Sequence, residues 1–220
     1  MGFRLSELVE MSPYLFHVTY EPSLNRIRRL RRLESASSLM KAGGQLNWLR
    51  KRRKSMLPFS IDNESIVLTD QHPINEKNIA FQENWTLPDL IEAINQRVFF
   101  WRGDESGLLK SNQGHFKKHQ KGKYNLVFLR LRFHETNKMN TEREPDVCKY
   151  NSGAARQNDG KPIPRGPKTF IQTSYADFPK GKVQEVVFSS FVDLPGTTEI
   201  CSGSWNGPWR PLFQDIVHNK

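Results

Sequence analysis

The sequence predicts an α+β domain, and three observations predict it. Short aromatic and β-branched runs suited to strands outnumber the amphipathic runs suited to helices. Helix and strand patterns mix early in the chain and strands dominate later, without the regular alternation of repeated βαβ units. With 14 Phe, 5 Trp and 5 Tyr, 220 residues can also bury one sizeable core although only 36% of them are hydrophobic. One domain over residues 1–220 is therefore expected.

The elements follow in order. Phe3, Leu5, Leu8 and Val9 are helically spaced up to Met11, and Ser12-Pro13 breaks the run. Tyr14 to Thr19 reads as a strand, and Glu21-Pro22 opens a helix whose apolar face holds Leu24, Ile27, Leu30 and Leu33. Gly43-Gly44 punctuates the chain before Leu46 to Leu49 and the basic cluster Arg50 to Lys54. Ser65 to Thr69 forms a strand that Pro73 prevents from continuing. Thr86-Leu87-Pro88-Asp89 is a capping box ahead of Leu90, Ile91 and Ile94. Arg97 to Trp101 is a strand with a turn at Gly103-Asp104, and Leu126 to Phe133 is another. Lys110 to Lys123 has no apolar face and reads as an exposed basic loop or short helix, while Asn137 to Lys168 reads as a long irregular segment. Val183 to Val192 gives the last clear strand, before Leu194-Pro195-Gly196 and an aromatic tail with Trp205 and Trp209.

Thirty-three Lys and Arg against 23 Asp and Glu leave a net charge of +10, which favours a polyanionic partner. The five arginines Arg26, Arg28, Arg29, Arg31 and Arg32 read first as a solvated helix face. Cys148 and Cys201 sit in no paired motif, so neither a disulfide framework nor a zinc site is expected. No apolar run approaches the ~20 residues that cross a bilayer, and no signal-peptide core opens the chain. A cytoplasmic protein with no membrane partner is expected; Met1 to Ser6 meets only a loose myristoylation pattern. Phosphate-loop, dinucleotide-fingerprint, zincin and serine-hydrolase motifs do not occur. His115 and His119 have helical ligand spacing, but lysines surround them and no third ligand is near, so no metal is expected.

Three ordered features remain: Phe16-His17-Val18-Thr19, an arginine among Arg50, Arg52 and Arg53, and Val183-Gln184-Glu185-Val186-Val187. With Pro22-Ser23-Leu24, Ile66 to Thr69, His72-Pro73-Ile74 and Arg97 to Trp101, they resemble the ADP-ribosyltransferase superfamily, in particular its DarT-like branch acting on nucleic acid. The resemblance spans Tyr14 to Ile200 and implies a split antiparallel β-sheet core with flanking helices. It implies NAD+ as co-substrate, with Glu185 and Arg52 catalytic and with His17, Thr19 and Arg53 holding NAD+. Asn151 to Phe170 becomes the substrate-facing region, and Arg50, Lys54, Lys117 and Lys118 become candidate nucleic-acid contacts. Thr69-Asp70-Gln71-His72 departs from the family's aromatic-rich segment, and the crowding of arginines leaves their register open.

The chemistry suits these residue types. Breaking the ribose–nicotinamide bond builds positive charge on the sugar, which a fixed carboxylate stabilises. An arginine fork meets a diphosphate through paired donors, which a lysine cannot. The expected function is mono-ADP-ribosyl transfer to DNA or RNA, as a toxin or phage-defence effector with a neutralising antitoxin. The alternatives are a nucleic-acid-binding module without turnover, a protein-directed transferase, and an RNA 2′-phosphotransferase, against which an essential Glu185 argues.

Overall fold

The structure, a computed structural model, describes residues 2–109, 113, 123–153 and 161–213. Helix α1 (Leu5–Met11) ends at Ser12, and β1 (Tyr14–Tyr20) follows at once. Pro22 lies in a 3-10 turn, Glu21–Ser23, that leads into α2 (Leu24–Leu30). Arg31 takes a left-handed φ of 50° and stops the helix, so Leu33 sits in β2 (Arg32–Glu34) rather than on the helical face. Ser35 caps α3 (Ala36–Ala42) through a 3.2 Å bond from the Ser38 amide to its hydroxyl. The sequence reading lacks this helix because its serine-rich start carries little apolar periodicity.

Strands β3 (Leu57–Ile61) and β4 (Glu64–Leu68) form a hairpin closed by Asp62-Asn63, both at positive φ. β5 (Ile79–Phe81) precedes α4 (Leu87–Asn95), whose box is formed as expected: Asp89 accepts from the Thr86 amide at 2.9 Å. β6 (Arg97–Asp104) runs through the expected turn and pairs with β7 (Gly107–Leu108). A Cβ on Gly103 would meet Gly107 O at 2.3 Å and Phe16 Cε2 at 2.4 Å, so this glycine serves close strand packing rather than a bend.

β8 (Leu126–Arg132) stops before Phe133, which begins α5 (Phe133–Met139) instead of ending the strand. The Phe133 amide bonds to Pro13 O at 2.8 Å and turns the chain there. The stretch read as irregular contains β9 (Asp146–Cys148) and β10 (Ile163–Arg165). β11 (Ile171–Gln172), β12 (Glu185–Ser189), β13 (Phe191–Asp193), β14 (Glu199–Ser202) and β15 (Arg210–Pro211) complete the described strands. Ser190, at φ 63°, splits the single strand expected at Val183 to Val192 into β12 and β13.

The main sheet runs β11-β9-β12-β6-β1-β8-β14-β15, with β7 beside β6, and each recorded pairing in it is antiparallel. With five described α-helices around a mostly antiparallel sheet, the fold is α+β. Alternation divides the core: Leu15, Phe100, Leu129, Val186 and Phe188 pack with Leu8, Leu24 and Ile27, while Phe16, Trp101 and Phe128 form a second cluster with Trp205.

One irregularity in the sheet positions the site. β1 pairs with β6 only from Tyr14–Gly103 to Phe16–Trp101, whereas its pairing with β8 continues to Tyr20–Leu126. Past Phe16 the two central strands part, and the side of β1 beginning at His17 faces an opening.

Candidate functional site

A cavity of about 210 Å³ occupies the opening between β1, β4, β6 and the start of β12. His17, Thr19, Arg53 and Glu185 all line it. They come from an early strand, a loop before β3 and the first residue of a late strand.

The parting of the strands gives His17 its environment. Its Nδ1 lies 2.9 Å from the carbonyl oxygen of Phe99, so the imidazole spans the gap where the ladder has stopped. A carbonyl only accepts, which makes Nδ1 the protonated nitrogen and leaves the Nε2 lone pair as an acceptor. Burial pulls the imidazole down to about 4, against the Phe99 bond, so the ring is neutral at physiological pH. Thr19, two residues on, lies on the same side of β1 and is half-buried at the wall.

Arg53 is reached through α4. The capping box fixes the start of that helix, and Asn95 at its end turns a buried amide toward the basic loop. Asn95 donates to Leu49 O at 2.9 Å and accepts from Arg53 Nη1 at 2.8 Å and Gln71 Nε2 at 3.0 Å. The Arg53 amide bonds to Gln71 Oε1 at 3.1 Å, the Gln71 amide bonds to Arg53 O at 2.7 Å, and Arg53 Nε donates to Thr69 O at 3.0 Å. Arg53 is thus held in the wall at 3% exposure, where burial pulls its guanidinium down to about 10 with Asp70 opposing.

Four arginines line the cavity. Arg26 pairs with Glu34 at 2.6 Å, Arg32 with Asp193 at 2.7 Å and Arg97 with Asp146 at 3.3 Å. Arg53 alone of the four has no carboxylate within 4 Å among the described residues. A buried cation without such a partner favours an anionic ligand. Arg97 Nε, on one of these four, and Asn151 Oδ1, on a further lining residue, are buried without a hydrogen-bond partner.

Glu185 opens β12 between Trp101 of β6 and Cys148 of β9. It is 1% exposed, and its Oε2 accepts the Ser152 amide at 3.0 Å. Burial pushes the carboxyl up to about 7, while the Ser152 amide and the Arg165 guanidinium oppose the rise. A carboxyl poised near neutrality can carry negative charge toward a neighbouring cation and can also take a proton.

The other candidates lie elsewhere. Arg52 is not among the lining residues; its Nη1 donates to the Ile74 carbonyl, so the inward arginine of this loop is Arg53. The Gln71 side chain on the Arg53 amide, the Gln71 amide on the Arg53 carbonyl and Asn95 on the guanidinium decide which arginine faces inward. Arg50 is exposed and bonded to Asp89 and Glu92 of α4, which takes it out of the free positive charge expected there. Lys54 is exposed. Lys117 and Lys118, with His115 and His119, lie outside the described residues. Of the segment from Asn151 to Phe170, Asn151, Ser152 and Gly153 reach the cavity. The sequence reading passes over Asn95, Gln71 and Arg165. For Asn95 a signal existed, an amide where the apolar face of a capped helix runs out.

The model of one family, described as a family of unknown function (DUF7002), matches residues 13–191. The chain belongs to that family. No curated protein and no solved structure matches it. The DUF7002 span begins just before β1 and ends at the first residue of β13, so every lining residue from His17 to Glu185 falls within it. Helix α1 and the strands β14 and β15 lie outside it.

Proposed function

We propose that this chain is a mono-ADP-ribosyltransferase that splits NAD+ and passes the ADP-ribose to a nucleic acid. The observation that carries the reading is the gathering of His17, Thr19, Arg53 and Glu185 around one cavity. The parting of β1 from β6 supports it, since a split antiparallel sheet is what the resemblance implies.

The residues fit the co-substrate in kind. A buried guanidinium with no carboxylate in ion-pair reach among the described residues suits a diphosphate, and the unpartnered Asn151 and Arg97 atoms suit a ligand rich in polar groups. At about 210 Å³ the cavity is smaller than the roughly 300–1,000 Å³ of small-molecule sites, so it takes one end of an extended dinucleotide while the rest crosses the rim.

In this reading Arg53, in place of Arg52, holds the diphosphate. His17 Nε2 and the Thr19 hydroxyl orient the nicotinamide and its ribose. Glu185 stabilises the positive charge that grows on the ribose as nicotinamide leaves with the bonding electron pair. An acceptor nitrogen or oxygen then bonds to the same ribose carbon, and Glu185 takes the proton it loses.

The net charge of +10 supports an anionic acceptor. A toxin or phage-defence role with a neutralising partner protein rests on the same resemblance. The test is to incubate the chain with labelled NAD+ and single-stranded DNA, RNA and protein acceptors. Label on nucleic acid that is lost in Glu185→Ala is expected, and label on protein alone would remove the nucleic-acid half of the reading.

A further inference from the structure

We propose that Arg165 is a positioning residue for Glu185: buried behind the cavity wall, it clamps the Asn151–Ser152 segment whose amide grips the carboxylate. The inference rests on Glu185 being the working carboxylate of the proposed reaction, but its geometry stands apart from what the cavity binds.

Arg165 ends β10, which pairs in parallel with β5, and its carbonyl accepts the Gln82 amide at 2.8 Å. Its side chain is among the largest fully buried ones, at 1% exposure. Nη1 donates to Pro164 O at 3.0 Å and Nη2 to Asn151 O at 3.2 Å, while the guanidinium carbon stands 5.1 Å from the centre of the Tyr150 ring. The residue after Asn151 is Ser152, whose amide holds Glu185 Oε2. Tyr150 to Ser152 is thereby fixed at one end by Arg165 and at the other by the carboxylate. Nothing in the cavity wall requires so costly a burial of charge, because Arg165 is not a lining residue.

The charged groups around Glu185 leave Arg165 as the cation that acts on it through space among the described residues. On β9, burial pushes the Cys148 thiol up to about 12, so it stays neutral, and Asp146 pairs with Arg97 of β6. Arg102 of β6 spends its donors on Val183 O and Ser12 Oγ. On β1, His17 is neutral, and the anion beside Arg53 is Asp70. No carboxylate stands within ion-pair distance of Arg165 among the described residues, and Glu185 acts on it through space. Each therefore favours the charged form of the other.

The test is a carboxyl-carbon NMR titration of the full chain labelled at glutamate, with Glu185→Gln identifying the Glu185 signal by its loss. Arg165→Met is expected to raise the Glu185 midpoint by about one pH unit or more, a tenfold change in proton affinity. Arg165→Lys keeps the charge and should restore most of the shift. The pH profile of NAD+ cleavage should move in the same direction, with KM little changed. If Arg165→Met does not fold, Arg165→Lys and Asn151→Gly carry the test: the first should leave the midpoint within a few tenths of a unit, and the second, by loosening the clamp, should raise it. A folded Arg165→Met or Asn151→Gly with the wild-type midpoint, or a folded Arg165→Lys shifted as far as Arg165→Met, would overturn the proposal. An upward shift in a chain that never cleaves NAD+ would leave the proposal standing and remove the transferase reading.

Discussion

His17 meets the carbonyl of Phe99 at 2.9 Å, one residue after β1 has given up its ladder with β6. A side chain thus bridges two strands that no longer pair, and the same bond fixes which imidazole nitrogen faces the cavity. Since burial lowers the imidazole from 6.5 to about 4, the folded chain resists charging it. The stability this residue allows is complete above pH 6.5 and is lost as the pH falls toward 4. Urea unfolding at pH 7 and pH 4.5 should show wild type losing about 2 kcal/mol more than His17→Gln over that interval. Equal losses would mean that the imidazole charges freely.

Glu185 has the opposite sign in the same pH range. Its folded-state carboxyl lies near 7 against an ordinary 4.5, so its contribution is whole below pH 4.5 and falls away as pH rises through 7. Glu185→Gln should therefore be the more stable protein at pH 8, by about 2–3 kcal/mol, with little difference at pH 4.5. The same variant should lose at least about 100-fold in NAD+ turnover. Thermal melts at the two pH values check the first point, and a melt difference that does not change with pH would contradict it.

The two neighbouring arginines should separate cleanly. Arg53→Lys keeps the charge but loses the fork, and is expected to weaken NAD+ binding by about 10–100-fold. Arg52→Ala removes a bond to the Ile74 carbonyl outside the cavity and should leave NAD+ binding within about threefold of wild type. Equilibrium dialysis with NAD+ measures both, and the reverse ranking would return the role to Arg52.

Asn95 offers a test that is mainly structural. Its amide joins α4, the Leu49 carbonyl, Gln71 and Arg53, and all of these bonds are lost in Asn95→Ala. A loss of about 2–3 kcal/mol in unfolding free energy is expected, with NAD+ affinity falling as Arg53 loosens. Unchanged stability would show that the network is not cooperative.

What the sequence made legible was local. The Thr86–Asp89 box, the first strand and the Glu185 strand carry signals within a few residues of themselves, and each element forms. The β3–β4 hairpin had a signal too, in Asp62-Asn63, but its flanking strands alternate weakly. Phe133 looked like strand because the bond that turns it into helix comes from Pro13, more than a hundred residues away. The arginine register was illegible for the same kind of reason. Arg52 and Arg53 are chemically alike, and the Gln71 and Asn95 side chains that point one of them inward belong to other elements. Arg165 gave no sequence signal, since its importance lies in a buried contact with a segment fourteen residues away.

The most direct test of Glu185 as the working carboxylate of an ADP-ribosyltransferase is mass spectrometry of mixed DNA and RNA oligonucleotides after incubation with the chain and NAD+. One strand gaining the mass of a single ADP-ribose with wild type, and gaining none with Glu185→Gln of equal or greater stability, is the expected result. Unmodified oligonucleotides and intact NAD+ with the wild-type chain, or full modification by the variant, would contradict it.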